Sequence, residues 1–126
     1  MPLSISTAIL LALSALSHTA IVRYDWTIRY AVFNPDGFYR LVLAIDDGDE
    51  SFNFPGPTIR VRHGDTIQVH VHNDLATESV SIHWHGIHQL NTPWMDGVSY
   101  VTQYPILPMQ TFNYTFVASP IGTHWY

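Results

Sequence analysis

The 126-residue sequence contains no cysteine, and this absence removes several chemistries. No disulfide can stabilise the fold, no thiolate can act as a nucleophile, and a zinc finger with Cys ligands is excluded. A blue-copper electron-transfer centre needs one Cys sulfur and cannot be built from this chain. Its stability must therefore come from a packed core.

Charge is also scarce, because charged residues make up only 12% of the chain. Five Lys and Arg residues stand against ten Asp and Glu residues, for a formal net charge of −5. The basic residues are scattered and form no patch, which argues against nucleic-acid binding. With 47% hydrophobic and 13% aromatic residues, the chain can bury a core, and its length allows one domain.

No apolar run is long enough to span a membrane. The first twenty residues, "MPLSISTAILLALSALSHTA", carry a short apolar stretch from Ala8 to Leu16 and then small residues. This pattern is typical of a secretory signal cleaved after Ser17 or Ala20; a buried N-terminal helix is the alternative. We therefore expect residues 1–20 to be a signal peptide and the mature protein to be secreted. The triplet Asn113-Tyr114-Thr115 is an N-glycosylation acceptor sequence, in keeping with export.

Beyond residue 20, apolar and polar residues alternate with a period of two, and no amphipathic helix is indicated. Turn sequences such as "NPDG" and "FPGP" separate the alternating segments. Several short strands bounded by turns predict an all-β sandwich or barrel. The predicted strands are 24–32, Phe38–Ile45, Thr58–Val61, Thr66–Asn73, 80–85, Thr111–Val117 and one that begins at Gly122.

The segment "SVSIHWHGIHQL" places His83 and His85 on one face of a predicted strand, with Trp84 directed into the core. Two strand residues rise about 6.6 Å, so the imidazoles stand side by side. They can chelate one metal or serve two neighbouring metals, and imidazole suits copper, zinc, iron and nickel. The alternative is a pair of surface histidines, and the spacing alone does not decide.

The remaining candidates favour structural explanations. His70 and His72 form a second His-x-His pair, but they alternate with Ile67, Val69 and Val71 and predict a solvated strand face. Asp96 lies in the glycine-containing loop "PWMDGVSY", where a carboxylate is usually a turn former. No ligand role is assigned to the other histidines, which are His18, His63, His88 and His124.

Three phrases taken together are far more specific: "HWHG" (His83–Gly86), "MDGVSYVTQYPI" (Met95–Ile106) and "GTHWY" (Gly122–Tyr126). In order and separation they resemble the first cupredoxin (plastocyanin-like) domain of the multicopper oxidases, which include laccase, ascorbate oxidase and ferroxidase. The upstream phrases "NPDG", "FPGPTIRVRHGD" and "IQVHVHNDL" are similar to that family as well. The resemblance extends from about Tyr24 to the end.

This resemblance implies a cupredoxin-like Greek-key β-barrel and copper as the cofactor. It implies that His83 binds the type 2 copper and His85 one of the type 3 pair, within a trinuclear cluster. Such clusters reduce O₂ to water by four electrons while a small substrate, a phenol, an aromatic amine, ascorbate or Fe²⁺, is oxidised. Asp96 matches the family's acidic residue near the cluster, which assists proton delivery.

The family pattern continues beyond "GTHWY" into His-Ser-His, and further cupredoxin domains supply the other ligands and the type 1 copper. This sequence ends at Tyr126, and Tyr104 occupies a position that is commonly Cys in the family. We therefore expect residues 21–126 to be a C-terminally truncated first domain with an incomplete last strand. We expect it to be inactive alone and to belong to a laccase-type oxidase.

Two other functions remain open at this stage. One is a secreted cupredoxin-like module that binds a single copper through His83 and His85 without catalysis. The other is a structural domain whose histidines are vestigial. The nucleotide sequence after the codon for Tyr126 distinguishes them, because an open frame that encodes His-Ser-His favours the oxidase.

Overall fold

The computed structural model describes residues 19–48 and 54–126. It contains four strands in one open sheet and a single 3₁₀ turn, η1 (Pro93–Met95). The spatial order is β2-β1-β3-β4, with β1 and β3 parallel and the two outer pairs antiparallel. The strands are β1 (Ile21–Phe33), β2 (Arg40–Asp46), β3 (Thr66–Asn73) and β4 (Thr111–Val117). The all-β prediction is confirmed.

The predicted signal peptide lies outside the described residues, apart from Thr19 and Ala20. Within the described part of the chain, no helix is long and apolar enough to cross a membrane.

One face of the sheet carries the core, as the alternation predicts. Cross-strand neighbours on this face bring apolar side chains together, for example Ile28 opposite Ile45 and Val69 opposite Tyr114. Burial of these side chains is the main stabilising contribution to a fold without disulfides. The most deeply buried members of the contiguous core cluster are Trp26, Ile67, Val69, Val71, Trp84, Ile106, Tyr114 and Phe116.

Part of β1 and β2 lies beyond the region of this face that other segments cover. Tyr30 pairs with Leu43 and Val32 pairs with Leu41, and all four side chains are between 46% and 65% exposed. The alternation in the first strand predicts the face of Tyr30 and Val32 correctly but not their exposure. Alternation identifies which side of a strand is apolar, whereas burial also depends on what packs against it.

The prediction of a strand at 80–85 is wrong in one respect, because no continuous strand pairing forms there. This segment is extended, but it makes only isolated bridges at its ends, Val80 with Ile106 and His85 with Trp125. Its neighbours are irregular segments, so no continuous ladder forms. In the same way, 58–61 is extended outside the named strands, and 122–126 has a single bridge. The described part is thus an open sheet with extended segments packed on its core face, and hydrogen-bonded strands do not close it into a barrel.

Asp65 connects three parts of the fold. Its carboxylate accepts hydrogen bonds from the backbone N–H of Ala20 at 2.9 Å and of Arg62 at 3.0 Å. Its carbonyl oxygen accepts the N–H of Ala118, at the end of β4. The hydrogen bond from Ala20, then that from Arg62, lowers the pKa of Asp65 below its ordinary value of 3.8, and these effects exceed the opposing effect of burial.

The lowered pKa of Asp65 predicts a specific acid sensitivity. The ionised carboxylate contributes its full stability above its unfolded-state pKa of 3.8, and this contribution is lost as the pH falls through the lowered folded-state pKa. We expect Asp65→Asn to be less stable than the wild type at neutral pH and to lose less stability in acid. Urea unfolding followed by tryptophan fluorescence, between about pH 7 and pH 2, measures both effects.

Asp74→Asn is the control, because Asp74 is exposed. It should follow the wild-type curve. If the free energy of unfolding fell equally with pH in Asp65→Asn and in the wild type, the proposed role of this carboxylate would be contradicted.

Candidate metal centre

The position of the His-Trp-His segment is set by its central residue. Trp84 is 3% exposed, and its ring centroid lies 4.9 Å from that of Phe116 and 5.3 Å from that of Tyr114. Because successive side chains of an extended segment point to opposite sides, burial of Trp84 turns His83 and His85 outward. Both histidines are exposed, on the side away from the core.

Hydrogen bonds hold the backbone of this segment on either side of Trp84. The N–H of Ile82 donates to the hydroxyl of Tyr114 at 3.0 Å, and the N–H of His85 donates to the carbonyl of Trp125 at 2.9 Å. Burial raises the pKa of Tyr114, so its hydroxyl stays neutral. A β4 side chain thus replaces the missing strand partner just before His83.

The two imidazoles are neighbours with different surroundings. Their ring centroids are 5.8 Å apart and their planes are nearly perpendicular, at 84°. The Nδ1 atom of His83 lies 2.7 Å from the carbonyl oxygen of Asp96. A carbonyl oxygen only accepts hydrogen bonds, so in the neutral ring Nδ1 carries the proton and Nε2 keeps its lone pair. This is the usual state of a metal-binding histidine, whose other nitrogen donates to a carbonyl or carboxylate.

His85 is oriented by stacking. Its ring lies against that of Trp125, with centroids 4.2 Å apart and planes inclined by 21°. Since the Trp125 carbonyl also accepts the N–H of His85, one residue positions both its backbone and its ring.

Asp96 lies beside His83, at the end of η1. Its N–H donates to the carbonyl of Pro93 at 3.3 Å, and its Oδ2 atom lies 3.5 Å from Nδ1 of His83. The structure thus brings together the three site residues predicted from the sequence. The carboxylate faces the protonated nitrogen of His83, and no group of three or more His, Cys, Asp or Glu side chains in the described ranges could hold a metal ion. Imidazole nitrogens are donors that copper accepts, so the two exposed rings fit as part of a copper site.

Gly97 is a functional position that the sequence reasoning missed. It has a φ of +85°, and a Cβ atom there would overlap the carbonyl oxygen of Ile82 and lie 3.0 Å from Cα of His83. Only glycine lets the loop approach the histidine segment this closely. The sequence contained a signal for this position, because a glycine directly follows the candidate site residue Asp96. Gly86, with a φ of +89°, makes room for the ring of His124.

Three of the other histidines contact groups outside this pair, although the ring of His124 lies beside Gly86. His70 and His72 lie on the outer face of the sheet, as predicted, where their Nδ1 atoms contact Asp25 at 3.2 Å and Thr111 at 3.1 Å. His124 contacts the carbonyl of Pro120 through Nε2.

Gly97→Ala tests the close approach of the loop. We expect it to destabilise the fold by about 2–5 kcal/mol, the sum of left-handed strain and backbone overlap. Gly37→Ala is the matched control, because Gly37 has a φ of +90° but nothing within 4 Å of the added atom. It should cost about 1–2 kcal/mol. Urea unfolding gives both values; equal costs for the two variants would show that the overlap is relieved easily.

Comparison with known proteins places this geometry in context. A sequence model of the multicopper oxidase family matches residues 27–126. L-ascorbate oxidase from Brassica rapa subsp. pekinensis is 45% identical over 120 residues, which cover 93% of this chain and 20% of the relative. Iron transport multicopper oxidase FET3 from Gibberella zeae is 38% identical over 125 residues, or 98% of this chain and 19% of the relative. The chain thus spans about a fifth of the length of these relatives.

Solved structures of multicopper oxidases share the fold. Blue copper oxidase from Nitrosomonas europaea superimposes with a TM-score of 0.73 at 36% identity. The superimposed region covers 83% of this chain and 31% of that protein. Laccase from Botrytis aclada gives a TM-score of 0.70 at 36% identity, with 81% of this chain and 18% of that protein covered. The cupredoxin-like prediction is therefore confirmed, and this chain belongs to the multicopper oxidase family.

Proposed function

We propose that this chain provides part of the trinuclear copper centre of a longer, secreted, laccase-type oxidase. In this proposal residues 21–126 are the first cupredoxin domain, His83 binds the type 2 copper and His85 binds a type 3 copper. The observation that carries the proposal is the hydrogen bond from Nδ1 of His83 to the Asp96 carbonyl. It leaves Nε2 available for a metal on the exposed side that also carries His85.

The remaining ligands must come from elsewhere in the polypeptide. Two imidazoles cannot hold three coppers, and the curated relatives are about five times longer than this chain. When bound, the copper centre would supply the four-electron reduction of O₂ to water. The reducing substrate is proposed to be a phenol or an aromatic amine; ascorbate and Fe²⁺ are the alternatives suggested by the names of relatives.

Each residue of the centre has a distinct role in this proposal. His83 and His85 are the ligands, Trp84 fixes the segment that carries them, and Trp125 holds the His85 ring. Asp96 has a partly exposed carboxylate close to His83, so its Oδ2 atom would hold and release a proton beside the copper site. This is the proton-delivery role expected from the sequence.

A second candidate function rests on the exposure of the histidines. Both imidazoles are open to solvent in the chain as it stands, so a metal could reach them without any other domain. A copper-binding module without catalysis would use the same two ligands. Copper retention by the chain separates the two functions.

The oxidase proposal predicts weak copper binding by the 126-residue chain. We expect Cu²⁺ to bind through both imidazoles but to be removed by dialysis, because two ligands are too few for tight retention. His83→Ala and His85→Ala should each weaken Cu²⁺ binding about tenfold or more. Calorimetric titration and metal analysis after dialysis measure these effects, and oxygen uptake with a phenol should stay at background.

His88→Ala is the control, because His88 is an exposed histidine just beyond the motif. It should bind Cu²⁺ like the wild type. One copper retained per chain, and lost in either motif variant, would favour the binding module. Copper-dependent phenol oxidation by this chain would contradict its proposed dependence on further domains.

Secretion predicts a modification that can be measured directly. Asn113 is exposed on the outer face of β4, in an N-glycosylation acceptor sequence, and is therefore accessible to an N-glycan. Expressed through a eukaryotic secretory pathway, the protein should begin after residue 17 or 20 and lose apparent mass on treatment with an N-glycosidase. Asn113→Gln should abolish this change, whereas Asn91→Gln, outside any acceptor triplet, should not. A protein found only inside the cell and unglycosylated would contradict the proposal.

A further inference from the structure

Gln89 is an unusual residue beside the candidate metal centre. It is a polar side chain only 6% exposed, and its backbone adopts a φ of +48°, which is rare for a residue other than glycine. A buried amide must have its hydrogen bonds satisfied, or its desolvation destabilises the fold. The hydrogen-bond partners of this amide therefore indicate which part of the chain it positions.

Both ends of the amide bind the loop that leads to Asp96. Nε2 of Gln89 donates to the carbonyl of Met95 at 3.3 Å, and Oε1 accepts the hydroxyl of Thr92 at 3.0 Å. The backbone carbonyl of Gln89 also accepts the N–H of Thr92 at 3.0 Å. The amide thus spans η1 and fixes it at its start and at its end.

The carbonyl held by Gln89 is next in sequence to the one that binds His83. The carbonyl of Met95 is bound by Gln89, and that of Asp96 accepts Nδ1–H of His83 at 2.7 Å. Fixing the first carbonyl fixes the plane of the peptide that joins Met95 to Asp96. The Asp96 carbonyl belongs to the next peptide, and the helical backbone of Asp96, with φ −67° and ψ −22°, sets its direction relative to that plane. The thioether of Met95 also accepts the N–H of Thr115 at 3.4 Å, which ties the same residue to β4.

We propose that Gln89 is a positioning residue that keeps His83 in its Nδ1–H tautomer by fixing the orientation of the Met95 and Asp96 carbonyls. The purpose of this tautomer, to direct Nε2 at copper, rests on the proposed function; the positioning itself does not. The tautomer of a neutral histidine is set by the partner of its ring nitrogen. When the Asp96 carbonyl turns away, His83 loses that bias and Nε2 becomes protonated in part of the molecules.

The test reads the tautomer of His83 without copper. Long-range ¹H–¹⁵N NMR spectra distinguish the two ring nitrogens, and they are recorded at about pH 8, above the ordinary pKa of an imidazole. His83→Ala assigns the signal. In the wild type, His83 should be in the Nδ1–H form. In Gln89→Met, an uncharged replacement of similar length, His83 should become a mixture of the two tautomers, whereas the signals of His70 and His72 should not change.

Gln110→Met is the matched control, since Gln110 is exposed and its hydrogen bonds are made by its backbone. Its N–H donates to the carbonyl of Leu107, and its carbonyl accepts the N–H of Asn73. It should leave His83 unchanged. If Gln89→Met does not fold, Thr92→Val decides, because it removes only the hydroxyl that orients the amide and should produce a smaller shift in the same direction. A His83 signal that stays fully Nδ1–H in the folded variant overturns the proposal, as does a wild-type His83 protonated on Nε2.

Failure of this inference is distinguishable from failure of the proposed function. Copper that binds through His83 while the tautomer is insensitive to Gln89 would overturn the positioning role alone. A tautomer that depends on Gln89 in a chain that binds no copper at His83 would leave the positioning role intact and count against the copper centre.

Discussion

Burial of one indole ring is the constraint on which the candidate metal centre depends. Trp84 lies among Tyr114, Phe116 and Tyr126, and the histidines on either side of it must then face outward. Removing a buried tryptophan side chain typically costs about 3–5 kcal/mol, whereas one hydrogen bond contributes about 1 kcal/mol. Packing therefore decides where the imidazoles lie. The weaker contacts, such as that between His83 and Asp96, decide how each ring is oriented and protonated.

Much of this arrangement could be predicted from the sequence, because the information is local. A period of two determines which residues share a face, so the inward direction of Trp84 and the outward direction of His83 and His85 followed from their order alone. The strands β1, β3 and β4 were predicted within a few residues for the same reason. The solvated face that carries His70 and His72 was predicted correctly as well.

The rest depends on contacts between distant residues and could not be predicted in this way. Nothing local shows that the N–H of Ile82 is satisfied by a tyrosine hydroxyl instead of a neighbouring strand, or that the carbonyl of Asp96 is the group that meets His83. Gly97 and Gln89 were missed because their roles appear only when the loop is folded back against the motif. The extent of burial on β1 also depends on segments far away in the chain.

The exposed pairs at the end of the first two strands affect how this polypeptide behaves in solution. Tyr30, Val32, Leu41 and Leu43 present apolar surface beside β2, an outer strand of the sheet, where backbone groups are open to pairing. Together, an apolar patch and an open strand edge favour association between molecules. We therefore expect the association of this polypeptide to increase with its concentration.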